Sequence, residues 1–294
     1  MPAGFSATFL MKTIGIIYNA RIPEALDLSN AIANELSPQQ SSWISPAEDL
    51  EGLRQRAGET DLVITAGGDG TILRAVRVTA PWGIPMVGIN MGRLGFLTEL
   101  QVHEALERLP QYLNGSCRVE EHNMVQAELV RSEAGPETSQ TEGPFHALND
   151  VVMARGSVSR VLTIRTCIDG ADLASLRADG MILSTATGST SYSLAVGGPI
   201  LDPLSQSLVL KPIAAHVGLS ASLVLDPAAE VEFHLEGAQD AALSVDGFED
   251  LPMKSGDWVK IKQSPLKAKF LRAMPHSHFY ATLTRRLGFS VRGQ

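Results

Sequence analysis

Residues 67–71 of this 294-residue chain, Gly67-Gly68-Asp69-Gly70-Thr71, put three glycines, a carboxylate and a hydroxyl into five positions. An apolar run at 61–66 leads into them, and Ile72, Leu73, Ala75 and Val76 follow at helical spacing. The stretch reads as a strand, a tight turn and a helix start, with Thr71 placed to cap the first exposed N–H groups. Glycines there allow positive φ and a close backbone approach to a ligand, and a helix N-terminus favours a phosphate. Asp69 does not suit a plain phosphate cradle, because a carboxylate repels phosphate oxygens. It fits if it binds a metal bridging those oxygens, or accepts the proton of a hydroxyl about to be phosphorylated. The turn is not a P-loop, since no Gly-Lys-Ser/Thr follows. Nor is it a dinucleotide fingerprint, since Leu73 stands at the place of the third glycine. A tight turn with an incidental aspartate is the plainer reading, but four special residues in five exceed what a turn needs.

Two other stretches carry chemistry. Asn149 and Asp150 offer an amide able to pair with a base edge and a carboxylate able to accept from ribose hydroxyls, although such a pair alone is more often an Asx turn. Residues 184–193 crowd hydroxyls together (Ser184, Thr185, Thr187, Ser189, Thr190, Ser191, Tyr192, Ser193), a means of binding phosphate or ribose without adding charge. Arg155, Arg160 and Arg177 are local positive charges that could meet phosphates. The histidines, His216 among them, show no HExxH or comparable ligand spacing, and there is no Gly-x-Ser-x-Gly elbow.

The elements that position these residues alternate in the first part of the chain. Residues 12–19 suit a central parallel strand. Residues 24–36 suit a helix with Ala25, Leu28, Ile32 and Leu36 on one face, closed by Pro38. Residues 81–90 form another buried strand, followed at 90–96 by a second glycine-bearing turn that includes Asn90 and Phe96. It leaves its strand on the same side as the first turn, where ligands sit in open α/β sheets. A helix at 104–113 stops at Asn114-Gly115. Beyond about 118 the pattern changes to many short strands, at 160–168, 181–184, 208–213, 223–225, 231–235, 243–245 and 258–261. Asp169-Gly170, Asp179-Gly180 and Asp246-Gly247 read as turn pairs, residues 132–143 as an exposed hairpin loop, and 278–287 as a last helix. The expected domains are an α/β one at 11–116 and a β-rich one at 117–271.

A hydrophobic fraction of 44% with 19% charged residues describes a soluble globular protein. The net charge of −8 argues against nucleic acid as the main partner, so a polyanionic substrate needs concentrated positive charge or a cation. Cys117 and Cys167 lack metal-type spacing and read as buried small residues in a reducing cytoplasm. No apolar run reaches the roughly 20 residues that span a bilayer. Residues 1–10 lack the basic start of a signal peptide and read as a disordered extension or an early start site ahead of Met11.

Taken together the motifs resemble those of the NAD kinase family. The resemblance rests on residues 67–71, on 88–90 with 94–97, on 147–150, on Asp179-Gly180, and on 187–190 with Tyr192 and 197–200, in this order and at this spacing. It implies ATP-dependent phosphorylation of the adenosine ribose 2′-hydroxyl of NAD, with Mg2+ or another divalent cation bound mainly through ATP, in a homodimer or homotetramer. The implied fold is an α/β domain with a Rossmann-like parallel sheet, then a β-sandwich-like domain, with a tail at 272–294 returning to the first. Asp69 would meet the ribose hydroxyl as base or orienting acceptor, with Gly68, Gly70 and Thr71 along the phosphate path and Asn90 and Phe96 beside it. Asn149 and Asp150 would hold the adenosine half, and Thr187, Thr190, Ser191 and Tyr192 would line the adenine pocket. Asp179 would reach the other half of the dinucleotide, and Arg155, Arg177, Ala214 and Asp246 complete the implied set. These second-domain residues would form the wall of a cleft opposite Asp69. The family often has glutamate where this chain has Asp150, and serine, proline and serine where it has Ala178, Ala186 and Ala195.

Two further readings stand beside this one. A lipid kinase of the diacylglycerol type shares the opening turn but would bring a basic or apolar membrane-facing element, which is not evident here. A non-catalytic dinucleotide sensor would bind NAD without forming NADP.

Overall fold

The computed structural model describes residues 11–92, 95–132, 140–156, 161–215 and 220–288. They fall into two compact units, one up to Glu121 and again from Ala268, the other His122–Lys267. The chain thus passes to the second unit and back five residues after the expected boundary at 116 and four before that at 271.

The first unit alternates β1 (Thr13–Tyr18), α1 (Pro23–Glu35), β2 (Ser41–Pro46), α2 (Leu50–Ala57), β3 (Leu62–Gly67), α3 (Asp69–Thr79), β4 (Pro85–Asn90), β5 (Leu100–Gln101) and α4 (Val102–Leu113). Strands β2, β1, β3 and β4 pair in that order, all parallel. β3 is buried at every residue, as a central strand covered on both faces must be. α1 starts at Pro23, which has no N–H to leave unsatisfied, and buries Ala25, Leu28 and Ile32 on the face turned to the sheet. Asp49 caps α2, and Gln101 with Glu104 forms a capping box on α4. The chain order turns back between β1 and β3, so residues 67–70 lie at the carboxyl edge of the sheet beside its switch point.

The second unit contains β6 (Arg118–Val130, from His122 on), β7 (Thr141–Ala147), β8 (Asp150–Arg155), β9 (Leu162–Ile168), β10 (Ala171–Ala178), β11 (Gly180–Ser184), the short helix α5 (Tyr192–Ala195), β12 (Leu208–Ile213), β13 (Leu223–Leu225), β14 (Val231–Glu236), β15 (Ala241–Val245), β16 (Glu249–Met253) and most of β17 (Trp258–Arg272). One antiparallel sheet runs β13-β12-β11-β8-β15-β16. In the other layer β10, β9, β14 and β17 pair antiparallel, and β6 pairs with β7. Inward residues of both layers, among them Val151, Met153, Leu183 and Leu243 from one and Ile164, Phe233, Leu235 and Ile261 from the other, share one core. β14 shows the strict buried and half-buried alternation this requires. The unit is a sandwich, as the resemblance implied.

The end of β17 rejoins the first unit, where Lys269 and Phe270 pair parallel with Pro85 and Met86, and α6 (His278–Arg286) follows. Among the described residues no helix is long and apolar enough to cross a membrane.

Several local expectations need correction. Thr71 does not cap α3. The N-cap is Gly68, without a side-chain cap, and Thr71 is buried in the first turn. Asp179-Gly180 is not a tight turn: Gly180 already belongs to β11, paired with Ala154 and Ile213. Residues 141–143 belong to β7 rather than to a loop, and 133–139 lie outside the described residues, as do Arg93, Leu94, Arg160 and residues 216–219. The strand at 258–261 extends to Arg272, because it leaves one unit and serves the other. Cys167 is buried but Cys117 only half-buried.

Candidate active site

In the first unit the site is built around Asp69, at the N-terminus of α3. Its Oδ2 accepts the N–H of Phe96 at 2.9 Å and its Oδ1 that of Leu97 at 3.1 Å. This pairing needs Gly95: a Cβ there would lie 2.1 Å from Asp69 Oδ1. The two glycine turns are adjacent, as expected, with Gly67 O accepting the N–H of Met91 at 3.1 Å. Asn90 is buried and folds the second turn upon itself, its side chain bonding both the N–H and the C=O of Gly92. Gly68 and Gly70 face open space, where a built Cβ would meet no atom within 4 Å. A carboxylate oriented by two amides at the N-terminus of a helix, whose dipole favours an anion, can accept a proton beside that anion.

A buried network holds the segment that carries those amides. Arg272, at the end of β17, donates to Leu97 O at 2.9 Å and pairs with Glu99 at 3.1 Å and Glu120 at 3.3 Å. Glu99 Oε1 accepts the N–H groups of Ala273 and Met274, each at 2.9 Å, and the Tyr112 hydroxyl at 3.2 Å. Burial, then the Glu99 charge, push the Tyr112 phenol well above its usual range. Every charged group in the network has a partner, as buried ions require.

In the second unit Asp246 gathers the start of β8. Its carboxylate accepts the N–H groups of Leu148 at 2.7 Å, Asn149 at 2.7 Å and Asp150 at 3.1 Å, from a backbone at φ 50°. Asp150 is buried. Loss of water, and then the Asp246 charge, push its carboxyl up to about 7. The hydroxyl-rich segment docks on the same place: Thr185 Oγ1 donates to Leu148 O at 2.5 Å, and Thr185 N–H to Asn149 O at 2.9 Å. Gly188 is required there, since a Cβ would lie 2.0 Å from Asn149 O. The hydroxyls of Ser184, Ser189 and Thr190 also bond to backbone carbonyls, while Ser191 and Tyr192 stand exposed. Thr187 Oγ1 meets His122 Nδ1 at 2.8 Å, a buried partner that no spacing in the sequence marks.

Of the remaining candidates, Arg155 and Asp179 pair with each other at 3.1 Å. Arg177 is exposed on β10, and Ala214 is exposed with φ 47°. Strand register also brings Cys167, Glu232 and His234 together, their ligand atoms within 4.8 Å of one another. The cluster already pairs internally: His234 Nε2 meets Glu232 at 2.8 Å, and the Arg165 guanidinium lies 2.8 Å from Asp172 and 3.5 Å from Cys167 Sγ. Burial is the main cause that pushes the Cys167 thiol up to about 11.

Comparison with known proteins accounts for both halves. Residues 36–117 match the model of the ATP-NAD kinase N-terminal domain, and residues 148–273 that of the ATP-NAD kinase C-terminal domain. The chain is 38% identical over 279 residues to the NAD kinase of Dehalococcoides mccartyi strain CBDB1, covering 95% of this chain and 96% of that one. It is 36% identical over 279 residues to the NAD kinase of Chloroflexus aggregans, covering 95% and 99%. Among solved structures its fold is similar to yeast NADH kinase complexed with NADH (TM-score 0.77, 23% identity, 97% and 90% covered). It is also similar to an NAD kinase from Archaeoglobus fulgidus in complex with ATP (TM-score 0.74, 22% identity, 95% and 100% covered). With both domain models matched in order, and relatives above 30% identity along nearly the whole chain, the protein belongs to the ATP-NAD kinase family.

Proposed function

We propose that the chain transfers the γ-phosphoryl group of ATP to the 2′-hydroxyl of the adenosine ribose of NAD, giving NADP. The observation that carries this reading is Asp69, a carboxylate fixed by the Phe96 and Leu97 amides at the start of α3. Asp69 accepts the hydroxyl proton as the 2′-oxygen bonds to the γ-phosphorus. The bond from that phosphorus to the β–γ bridging oxygen breaks, and ADP leaves with the electron pair. The N–H groups at the start of α3 favour the anion, and the open space at Gly68 and Gly70 leaves room for its oxygens.

The second unit supplies the nucleoside contacts in this reading. Asn149 is held by Asp246 and Thr185 with its amide available to a base edge, Asp150 meets the ribose, and exposed Tyr192 offers a ring for stacking. Mg2+ would come with ATP as part of the substrate and would neutralise its phosphates beside Asp69. The family resemblance supports a homodimer or homotetramer, and two cysteines outside any disulfide are consistent with a cytoplasmic location. The test is NADP formation from NAD, ATP and Mg2+ by the purified protein. Absence of NADP across several divalent ions, with NAD still bound, would replace the kinase by a sensor.

A further inference from the structure

Helix α6 brings a cation to Asp69. The Arg286 guanidinium lies 3.7 Å from Asp69 Oδ2 and sits over the Phe96 ring, 4.2 Å from its centroid. Phe279, on the same helix, flanks that ring in a tilted arrangement at 6.1 Å. Asp69 does not need this arginine for satisfaction, since each of its oxygens already accepts a backbone N–H. At 3.7 Å the contact is an ion pair without a hydrogen bond. With the two side chains 37% and 31% exposed, water screens it. Stacking on Phe96 holds the guanidinium as well, and its planar fork of N–H donors retains capacity for another acceptor.

A carboxylate base beside a polyphosphate faces charge repulsion, and a guanidinium at its side offsets it. We propose, resting on the kinase reading above, that Arg286 is a phosphate-binding residue that hydrogen-bonds the γ-phosphate of the donor during transfer. While the 2′-oxygen bonds to phosphorus, the bond to ADP breaks and Asp69 takes the proton, Arg286 meets the charge on the equatorial phosphoryl oxygens. The Phe96 residue supports both groups, orienting the base with its N–H and the cation with its ring.

The experiment is steady-state NADP formation by the full chain and its Arg286→Ala, Arg286→Lys and Arg285→Ala variants, with NAD affinity measured in the absence of ATP. Arg286→Ala is expected to lose about 10²–10³-fold in kcat/KM for ATP, the scale of one lost transition-state donor, with NAD affinity unchanged. Lysine recovers part of the loss, and added guanidinium ion raises the alanine variant's rate but not the wild type's. Arg285, which bonds back to Ala281 O within α6, is expected to be replaceable without loss. Wild-type kcat/KM in Arg286→Ala overturns the proposal. So does a loss that neither lysine nor guanidinium relieves and that weakens NAD binding equally. If the wild type forms no NADP, the kinase reading itself falls. ATP affinity then decides the matter separately: an unchanged Kd for ATP in Arg286→Ala overturns the role of this arginine.

Discussion

Asp246 and Asp150 are joined twice: the Asp150 N–H donates to the Asp246 carboxylate Oδ1 at 3.1 Å, and the Asp246 N–H to the Asp150 carbonyl at 3.1 Å. One carboxylate is thereby spent on amides, while the other is buried beside its charge and pushed up to about 7. In the unfolded chain the same group titrates near about 3.9. Between these two values the folded state holds a proton that the unfolded state has released. Stability from this group is therefore complete below about 3.9, is lost as pH rises towards 7, and is flat beyond. The loss is at most on the order of 4 kcal/mol. Urea unfolding at a series of pH values should show this decline in the wild type, and Asp150→Asn should abolish it. A decline of equal size in the variant would assign it to other groups.

Asp69→Asn keeps the shape of the side chain but removes the proton acceptor. Turnover should fall about 10²–10⁴-fold, the usual reach of general base catalysis, in protein that still folds, with a small drop in thermal stability because the new NH2 faces one of the two backbone N–H donors. Unchanged turnover removes Asp69 from the mechanism.

Gly95→Ala tests the positioning of that carboxylate from the other side. The new Cβ would stand 2.1 Å from Asp69 Oδ1, so the carboxylate must leave the Phe96 and Leu97 amides. Overpacking of this kind costs about 1–3 kcal/mol. Turnover should drop by more than that stability loss explains, as read from NADP formation on protein that circular dichroism shows to be folded. Full activity would mean that the two amides do not set the working position of Asp69.

Arg272→Ala would leave Glu99 buried without its cation, reduce Glu120 to its pair with Arg118 and free the Leu97 carbonyl. Breaking a buried ion network in this way costs about 3–5 kcal/mol. Chemical denaturation should report that loss; a change below about 1 kcal/mol, the scale of an exposed pair, would show that water replaces the guanidinium.

The alternation of strands and helices in the first unit was legible because buried parallel strands and one-sided helices have different apolar periods. β2 escaped for the same reason: Ser41, Ser42, Trp43, Ile44, Ser45 and Pro46 form an edge strand with Ser41 and Ser42 exposed and no apolar run. Thr71 was misread because a threonine near a helix start looks like a cap, whereas the backbone made Gly68 the cap and turned Thr71 inward. The hydroxyls at 184–190 were recognisable as unusual. Their use was not, since Thr185 and Gly188 answer to the distant carbonyls of Leu148 and Asn149.

By itself the sequence determined the two kinds of architecture, the glycine turn with Asp69, and the family to which these motifs point. Those features are local, and local spacing fixes them. Only the tertiary structure decided what each carboxylate faces. Asp69 meets amides 27 and 28 residues away, Asp246 meets amides 96 to 98 residues away, and Arg286 reaches Asp69 from the last described helix. Pairings at such separations are set by strand order and by the return of the chain through β17, and no periodicity within the sequence encodes them.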